Sequence, residues 1–277
     1  MSVHFERLTP ALGAFVHGIT ADALDDPSTF DKLHAALMDH QVLFFDRLSL
    51  DADRLAALGR GFGPIANTHH AYATHPDNDD VVVLSWDADN RPDAAEWHSD
   101  MTYKEGGAFA SVLQAVELPP LGGDTLWASM YAVHDALPAG LRSDLADLEA
   151  VHDMGAFRTP AYEQGGNQGI SDAMVAAGSA VLPIIDHHPV TGRPFVNVSE
   201  SFTRFIIGLS APESARILTM LFDLINRPDF QVRLRWSPGT IAIWDNRATQ
   251  HYACADYLPH PRVMWRVAVT ADQRTSA

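Results

Sequence analysis

The sequence predicts an α+β chain built around a β-sandwich or barrel core. Three observations carry this: two helix-period segments open the chain, strand-like segments dominate from about residue 81, and one further amphipathic helix interrupts them near residue 211. A length of 277 residues fits one domain, 1–277, with long insertions better than two independent ones.

Residues 26–41 read as a helix, with Phe30, Leu33 and Leu37 on one face behind a cap at Asp26 or Ser28. Val42-Leu43-Phe44-Phe45 follows as a buried strand. Leu55, Leu58 and Phe62 mark a second helix closed by Gly63-Pro64, and Val81 to Leu84 is a short apolar strand. Ala108 to Val116 is apolar enough for a core strand, ended by Pro119-Pro120-Leu121-Gly122-Gly123. Residues 157–180 are rich in Gly, Gln and Ala with little periodicity, and a loop of that length reads as a lid over a site. Ser210 and Glu213 have capping-box spacing before a helix carrying Ile217, Leu221 and Ile225. Phe230, Val232, Leu234 and Trp236 alternate with Gln231, Arg233 and Arg235, a period-2 strand signal. Ser237-Pro238-Gly239 forms a turn, and Thr240 to Trp244 and Val263 to Val269 are the last strands.

Hydrophobic residues at 47% and charged residues at 19% describe an ordinary globular chain with a sizeable core. A formal charge of −16 argues against nucleic-acid partners and anionic membrane surfaces, both of which need clustered Lys and Arg. A small anionic substrate stays compatible, because a few Arg side chains set the potential inside a cleft. The single cysteine, Cys254, excludes an intrachain disulfide and reads as a small buried filler. Without a leader-like N-terminus or a run of about 20 apolar residues, the expected location is the cytoplasm.

His98-Ser99-Asp100 follows Trp97, and in an extended segment residues i and i+2 project to one face. Imidazole and carboxylate then converge on one ion at a surface-facing mouth, and His251 supplies a third ligand from a distant strand end. Two His and one carboxylate leave three octahedral positions open, the arrangement of non-haem Fe(II) oxygenases. With 14 histidines, His-x-Asp alone is weak evidence. His134-Asp135 illustrates the background, His152-Asp153 reads as a helix terminus, and His187-His188 reads as a surface turn.

Context makes the signal specific. Trp97-His98-Ser99-Asp100, Gly122-Gly123-Asp124-Thr125-Leu126-Trp127, Trp244-Asp245-Asn246-Arg247 with Gln250-His251-Tyr252, and Tyr257-Leu258-Pro259 with Arg262 occur in this order. Together they resemble the taurine dioxygenase family of Fe(II)/2-oxoglutarate enzymes, and the likeness runs from His40-Gln41-Val42 through Phe230-Gln231-Val232-Arg233 to Arg266. The resemblance implies a double-stranded β-helix (jelly-roll) core with flanking helices and a lid-like insertion, and a homo-oligomer. It implies Fe(II) held by His98, Asp100 and His251, with 2-oxoglutarate and O2 as co-substrates.

On a strand, Arg262, Met264 and Arg266 share a face, and an inward Arg there needs an anion, either a protein carboxylate or a ligand. By resemblance Arg262 forks onto the distal carboxylate of 2-oxoglutarate, assisted by Thr125. Arg266 matches the position that binds a sulfonate, partnered by His69 or His70; a one-residue length difference leaves both open, with His69 preferred. Phe202 and Tyr72 line the apolar side, and Trp97, Trp127 and Trp244 wall the site. Where the taurine enzyme carries an Asn that helps to hold its substrate, this chain has Ala94, which leaves the pocket one polar group short.

The implied reaction hydroxylates the carbon next to the substrate anion while 2-oxoglutarate becomes succinate and CO2; a taurine-like sulfonate then yields an aldehyde and sulfite. The same chemistry on an alkyl sulfate, another sulfonate or an aryloxyalkanoate is the nearest alternative. A zinc hydrolase on the same three residues gives Arg262 and Thr125 no role. A non-catalytic small-anion binding protein leaves the triad unexplained.

Overall fold

The computed structural model of the protein describes residues 3–65, 72–92, 95–104, 106–154 and 178–274. In chain order its first strands are β1 (His4–Arg7), β2 (Ala14–His17), β3 (Val42–Phe45), β4 (Thr74–His75), β5 (Asn78–Trp86), β6 (Ala110–Glu117) and β7 (Thr125–Ser129). There follow β8 (Glu149–Asp153), β9 (Ser179–Pro183), β10 (Ile185–His187), β11 (Pro194–Val196) and β12 (Thr203–Ile206). The last four are β13 (Gln231–Leu234), β14 (Ile241–Asp245), β15 (Thr249–Ala253) and β16 (Arg262–Val269). The helices are α1 (Pro27–His40), α2 (Ala52–Arg60), α3 (Met130–Ala136), α4 (Ala139–Leu145) and α5 (Ala211–Ile225).

An eight-stranded sheet, in the order β1-β2-β3-β14-β6-β16-β5-β4, forms the larger layer. Its pairs are antiparallel except β2 with β3. Strand alternation sorts its side chains onto two faces. On the outer face Leu43, Phe45, Val112, Ile241, Ile243, Val267 and Val269 pack against Phe30, Leu33 and Leu37 of α1 and Leu55 and Leu58 of α2. On the inner face Val42, Phe44, Leu84, Leu113, Trp244 and Met264 meet Trp127, Val232 and Leu234 from the three-stranded sheet β13-β7-β15. Both faces of β3 and β14 are therefore covered, which is why each reads as an unbroken apolar run. Truncating a fully buried leucine such as Leu43 to Ala costs about 2–5 kcal/mol in such a core.

The expected sandwich is thus present as two facing sheets with helices outside the larger one. Asp26 caps α1, accepting from Ser28 N at 2.9 Å. Glu213 closes the capping box of α5 by accepting from Ser210 N at 3.0 Å. α5 and α3 cover the other side of the smaller sheet through Leu218, Leu221, Ile225, Met130 and Val133.

Several expectations need correction. His152-Asp153 ends strand β8 rather than a helix, and His152 is fully buried between Thr102 and Thr203. His188 is buried and bonds Asp245 at 2.9 Å; only His187 of that pair is exposed, so the surface-turn reading fails for His188. Phe230 ends a 3-10 turn before β13. The reading of 157–180 as a lid lies outside the described residues except for 178–180, of which Ser179 and Ala180 belong to β9. Among the described residues, no helix is long and apolar enough to cross a membrane.

Candidate active site

His98 and His251 are tied by a two-way backbone bridge: His98 N donates to His251 O at 3.1 Å, and His251 N to His98 O at 2.8 Å. The bridge sets their rings 4.1 Å apart. Two residues along the extended segment, Asp100 turns to the same side, and its Oδ1 lies 4.0 Å from Nε2 of each histidine. One donor atom from each residue lies within 4.8 Å of the others, the only such group of three among the described residues. Two imidazoles and a carboxylate at this spacing suit a divalent transition metal with positions left open.

The protonation pattern fits the same use. His98 Nδ1 lies 2.9 Å from Glu96 O, which only accepts, so Nδ1 donates there and Nε2 is the nitrogen that faces Asp100. His251 has its pKa pushed down to about 3, by burial first and by His98 beside it second, and is neutral at pH 7. Its Nδ1 is buried with no partner among the described residues. Burial opposes ionisation of Asp100, but Arg266, His251, His98 and Ser111 outweigh it and hold the carboxyl below the usual range. Asp100 is not the surface-facing mouth ligand that the sequence suggests, because its side chain is only 11% exposed.

Arg262 and Arg266 stand on β16 with Met264 between them on the inner face. Arg262 is 3% exposed, and among the described residues no carboxylate pairs with it. Its Nε donates to Gly123 O at 3.2 Å, and its Nη2 to Thr125 Oγ1 at 3.5 Å. Burial lowers its pKa, the signature of a cation lacking its counter-charge. Gly123 makes this packing feasible: at φ +72° it lies in the left-handed region, and a Cβ there would meet Arg262 Cδ at 3.1 Å. Thr125 is also buried, and its oxygen accepts from Trp236 Nε1 at 3.0 Å, which leaves its hydroxyl proton available.

Arg266 Nη1 lies 3.7 Å from Asp100 Oδ1, so this guanidinium borders the triad. Phe202 stands edge-on to His98 with ring centroids 6.1 Å apart, and Tyr103 packs on Phe202 at 5.2 Å. Burial pushes the Tyr103 hydroxyl up to about 12, with Asp100 adding to the shift. Tyr72 is half-buried against the inter-sheet core. His69, His70 and Ala94 lie outside the described residues. Of the three expected wall tryptophans, Trp244 lies 4.8 Å from the His251 ring with Trp127 behind it at 5.6 Å. Trp97 instead turns away, as alternation beside His98 requires, and donates to Asn226 Oδ1 at 2.8 Å. Cys254 is half-exposed rather than buried, and burial, the largest influence on its thiol, raises the pKa away from nucleophilic use.

Three residues near the triad were not singled out by sequence reasoning: Tyr103, Ser111 and Asn246. Asn246 lies inside the Trp244–Arg247 stretch that carries part of the family resemblance. Ser111 is one hydroxyl in an apolar strand, a pattern that carries no signal until the fold places Asp100 opposite it.

Comparison with known proteins gives this geometry its context. Residues 4–268 match the model of the family described as "Taurine catabolism dioxygenase TauD, TfdA family". An alpha-ketoglutarate-dependent sulfate ester dioxygenase of Pseudomonas putida is 32% identical over 94% of this chain and 87% of its own length. An alkylsulfatase of Acinetobacter baylyi is 29% identical over 99% of this chain and 87% of its own. The crystal structure of a taurine dioxygenase from Burkholderia xenovorans superposes with a TM-score of 0.83 at 30% identity, covering 97% of this chain and 89% of that one. A family match running through both histidines, the aspartate and both arginines decides the assignment: the chain belongs to the TauD, TfdA family of 2-oxoglutarate-dependent dioxygenases, which use Fe(II).

Proposed function

We propose that this protein hydroxylates the carbon next to a small sulfur oxyanion, a taurine-like sulfonate in the first instance, with His98, Asp100 and His251 holding the iron. One observation carries the reading: two guanidiniums share the inner face of β16, one buried without a carboxylate among the described residues, the other 3.7 Å from Asp100. A buried unpaired cation calls for an anionic ligand, and a second guanidinium beside the triad suits a substrate that is an anion like the co-substrate. Arg262 with Thr125 would hold the distal carboxylate of 2-oxoglutarate through planar, charge-assisted contacts. Arg266, with His69 or His70, would hold the substrate anion, and Phe202 and Tyr72 its apolar part. Domain 1–277 would act as one catalytic unit, and a homo-oligomer in the cytoplasm is the accompanying expectation. The double-stranded β-helix reading is supported by the two facing sheets and by the likeness to the taurine dioxygenase structure.

Iron, 2-oxoglutarate and dioxygen supply the oxidising chemistry, in which the co-substrate loses CO2 and becomes succinate. The chain's own work is positional. Its two imidazoles and ionised Asp100 would hold the metal from one side, leaving the other side for exchangeable ligands. Trp244 and Trp127 exclude water behind His251, and Arg266 fixes the distance between the sulfur oxyanion and the triad.

A sulfate ester is a second reading, favoured by the names of the Pseudomonas and Acinetobacter relatives. The products separate the two. Hydroxylation beside a sulfonate gives an aldehyde and sulfite, whereas hydroxylation of the carbon bearing a sulfate ester gives an aldehyde and sulfate. The experiment incubates the protein with Fe(II), ascorbate and 2-oxoglutarate in air with taurine, a short alkyl sulfate or a phenoxypropionate, and quantifies succinate with each inorganic product. Succinate matched by sulfite supports the sulfonate, and succinate matched by sulfate supports the ester. Succinate coupled only to phenol release would remove sulfur oxyanions from the account.

A further inference from the structure

The atoms around Asp100 form a hydrogen-bonded relay with one direction. Trp244 Nε1 donates to Asn246 Oδ1 at 2.8 Å. Asn246 Nδ2 donates to Ser111 Oγ at 3.0 Å. Ser111 Oγ donates to Asp100 Oδ2 at 2.6 Å. The direction follows from chemistry rather than choice. An indole N–H only donates, so it fixes the Asn246 amide with its oxygen toward Trp244 and its NH2 toward Ser111. The Ser111 oxygen, already accepting from that NH2, has its proton free for the carboxylate. A carboxylate oxygen accepts, and the 2.6 Å separation is in the short range of charge-assisted bonds.

The relay is rigid as well as directed. Ser111 is fully buried in β6, Asn246 is 5% exposed just after β14, and Trp244 is 1% exposed. Asn246 N also donates to Phe109 O at 2.9 Å, tying its backbone to the start of β6. The two oxygens of Asp100 consequently have different environments. Oδ2 is occupied by Ser111, while Oδ1 is the atom 4.0 Å from both His98 Nε2 and His251 Nε2 and 3.7 Å from Arg266.

We infer that Ser111 and Asn246 are positioning residues that hold Asp100 as a one-oxygen ligand, with Oδ1 toward the metal and Oδ2 kept off it. The inference rests on the proposed triad. Its consequence is access: a carboxylate free to swing its second oxygen onto the metal closes a position that the chelating co-substrate needs. The hydroxyl of Ser111 thus protects 2-oxoglutarate binding as well as orienting Asp100.

The test uses Mn(II) as a redox-inert probe under anaerobic conditions, with metal affinity read by electron paramagnetic resonance and 2-oxoglutarate affinity by equilibrium dialysis of the metal-loaded protein. Loss of an outer partner of a metal ligand typically costs about 10–100-fold, so Ser111→Ala should weaken metal or co-substrate binding in that range while the metal-free melting temperature stays near wild type. Ser111→Thr retains the hydroxyl and should restore binding to within a few-fold. Asn246 also accepts from Asp100 N at 3.4 Å, so Asn246→Ala should weaken binding at least as much as Ser111→Ala. Ser111→Ala with wild-type affinities for both probes overturns the inference while leaving the triad standing. Equal losses in Ser111→Ala and Ser111→Thr also overturn it, because packing and not the hydroxyl would then be responsible. A wild-type protein that binds neither probe would remove the triad reading, and the inference with it.

Discussion

Arg262 brings a positive charge to a position that is 3% exposed, hydrogen-bonded to a backbone carbonyl and a threonine hydroxyl and 5.9 Å over the Tyr257 ring. In the metal-free protein burial outweighs the attraction of Asp124 and the other nearby groups for that charge, so its removal has opposite effects on stability and binding. Arg262→Gln is expected to leave the metal-free melting temperature unchanged or higher. It should also raise the 2-oxoglutarate requirement by at least about 30-fold, since truncating a buried charge pair costs roughly 2–5 kcal/mol. A melting temperature that drops with an unchanged requirement would show that Arg262 serves the fold instead. Gly123 is the complementary case. Gly123→Ala places a Cβ 3.1 Å from Arg262 Cδ on a backbone at φ +72°, so both stability and co-substrate affinity should fall, stability by about 1–2 kcal/mol from the backbone alone. Unfolding midpoints and dialysis on the same preparation check the pair of effects.

At the scale of elements, the turn after β14 joins four parts of the chain through buried charges. Asp245 bonds His188 from the β10–β11 loop at 2.9 Å and Arg247 at 2.6 Å. Arg247 reaches Asp272 at 3.1 Å, and Asp272 holds His34 of α1 at 3.0 Å. Asp245→Ala strands two buried partners, and the expected loss is about 3–5 kcal/mol, read as a shift of the urea midpoint at constant slope. A shift under about 1 kcal/mol would mean the network is solvated in solution. This network also marks where sequence reasoning stopped. Short apolar runs such as Val42 to Phe45 and the Ser210–Glu213 spacing announced β3 and α5 because such runs and capping are local. The pairing of His188 with Asp245, 57 residues apart, is not local, and a His-His-Pro stretch with no periodicity gave it the look of a surface turn. His98, Asp100 and His251 were legible only through several motifs taken together. Ser111 was silent, since its partner Asp100 comes from outside its own strand.

At the scale of the molecule, stability should depend on pH through groups away from the triad. The buried His152 imidazole is pushed down to about 4 from an ordinary 6.5, by burial first and Arg204 second. A histidine with a depressed folded pKa contributes stability fully present above pH 6.5 and lost as pH falls toward 4; about 2.5 units correspond to roughly 3 kcal/mol. Asp245 and Asp272 have carboxyls held below the usual range, so their contribution is present above about pH 4 and is lost at more acid pH. Urea midpoints for wild type and His152→Asn should converge as pH drops from about 7 to about 4.5. Parallel curves would show that His152 binds its proton equally well in the folded and unfolded protein.

The measurement that bears most directly on the central claim is succinate formation from 2-oxoglutarate in air, for wild type and Asp100→Ala, with and without Fe(II) and a sulfur oxyanion substrate. Wild type should form succinate in proportion to the sulfite or sulfate released, and only when iron is present. Asp100→Ala should form none above background while keeping a wild-type circular-dichroism spectrum, even though its melting temperature falls because Arg266 and Ser111 lose a buried partner. Turnover by Asp100→Ala at the wild-type rate would contradict the assignment of His98, Asp100 and His251 as the iron site.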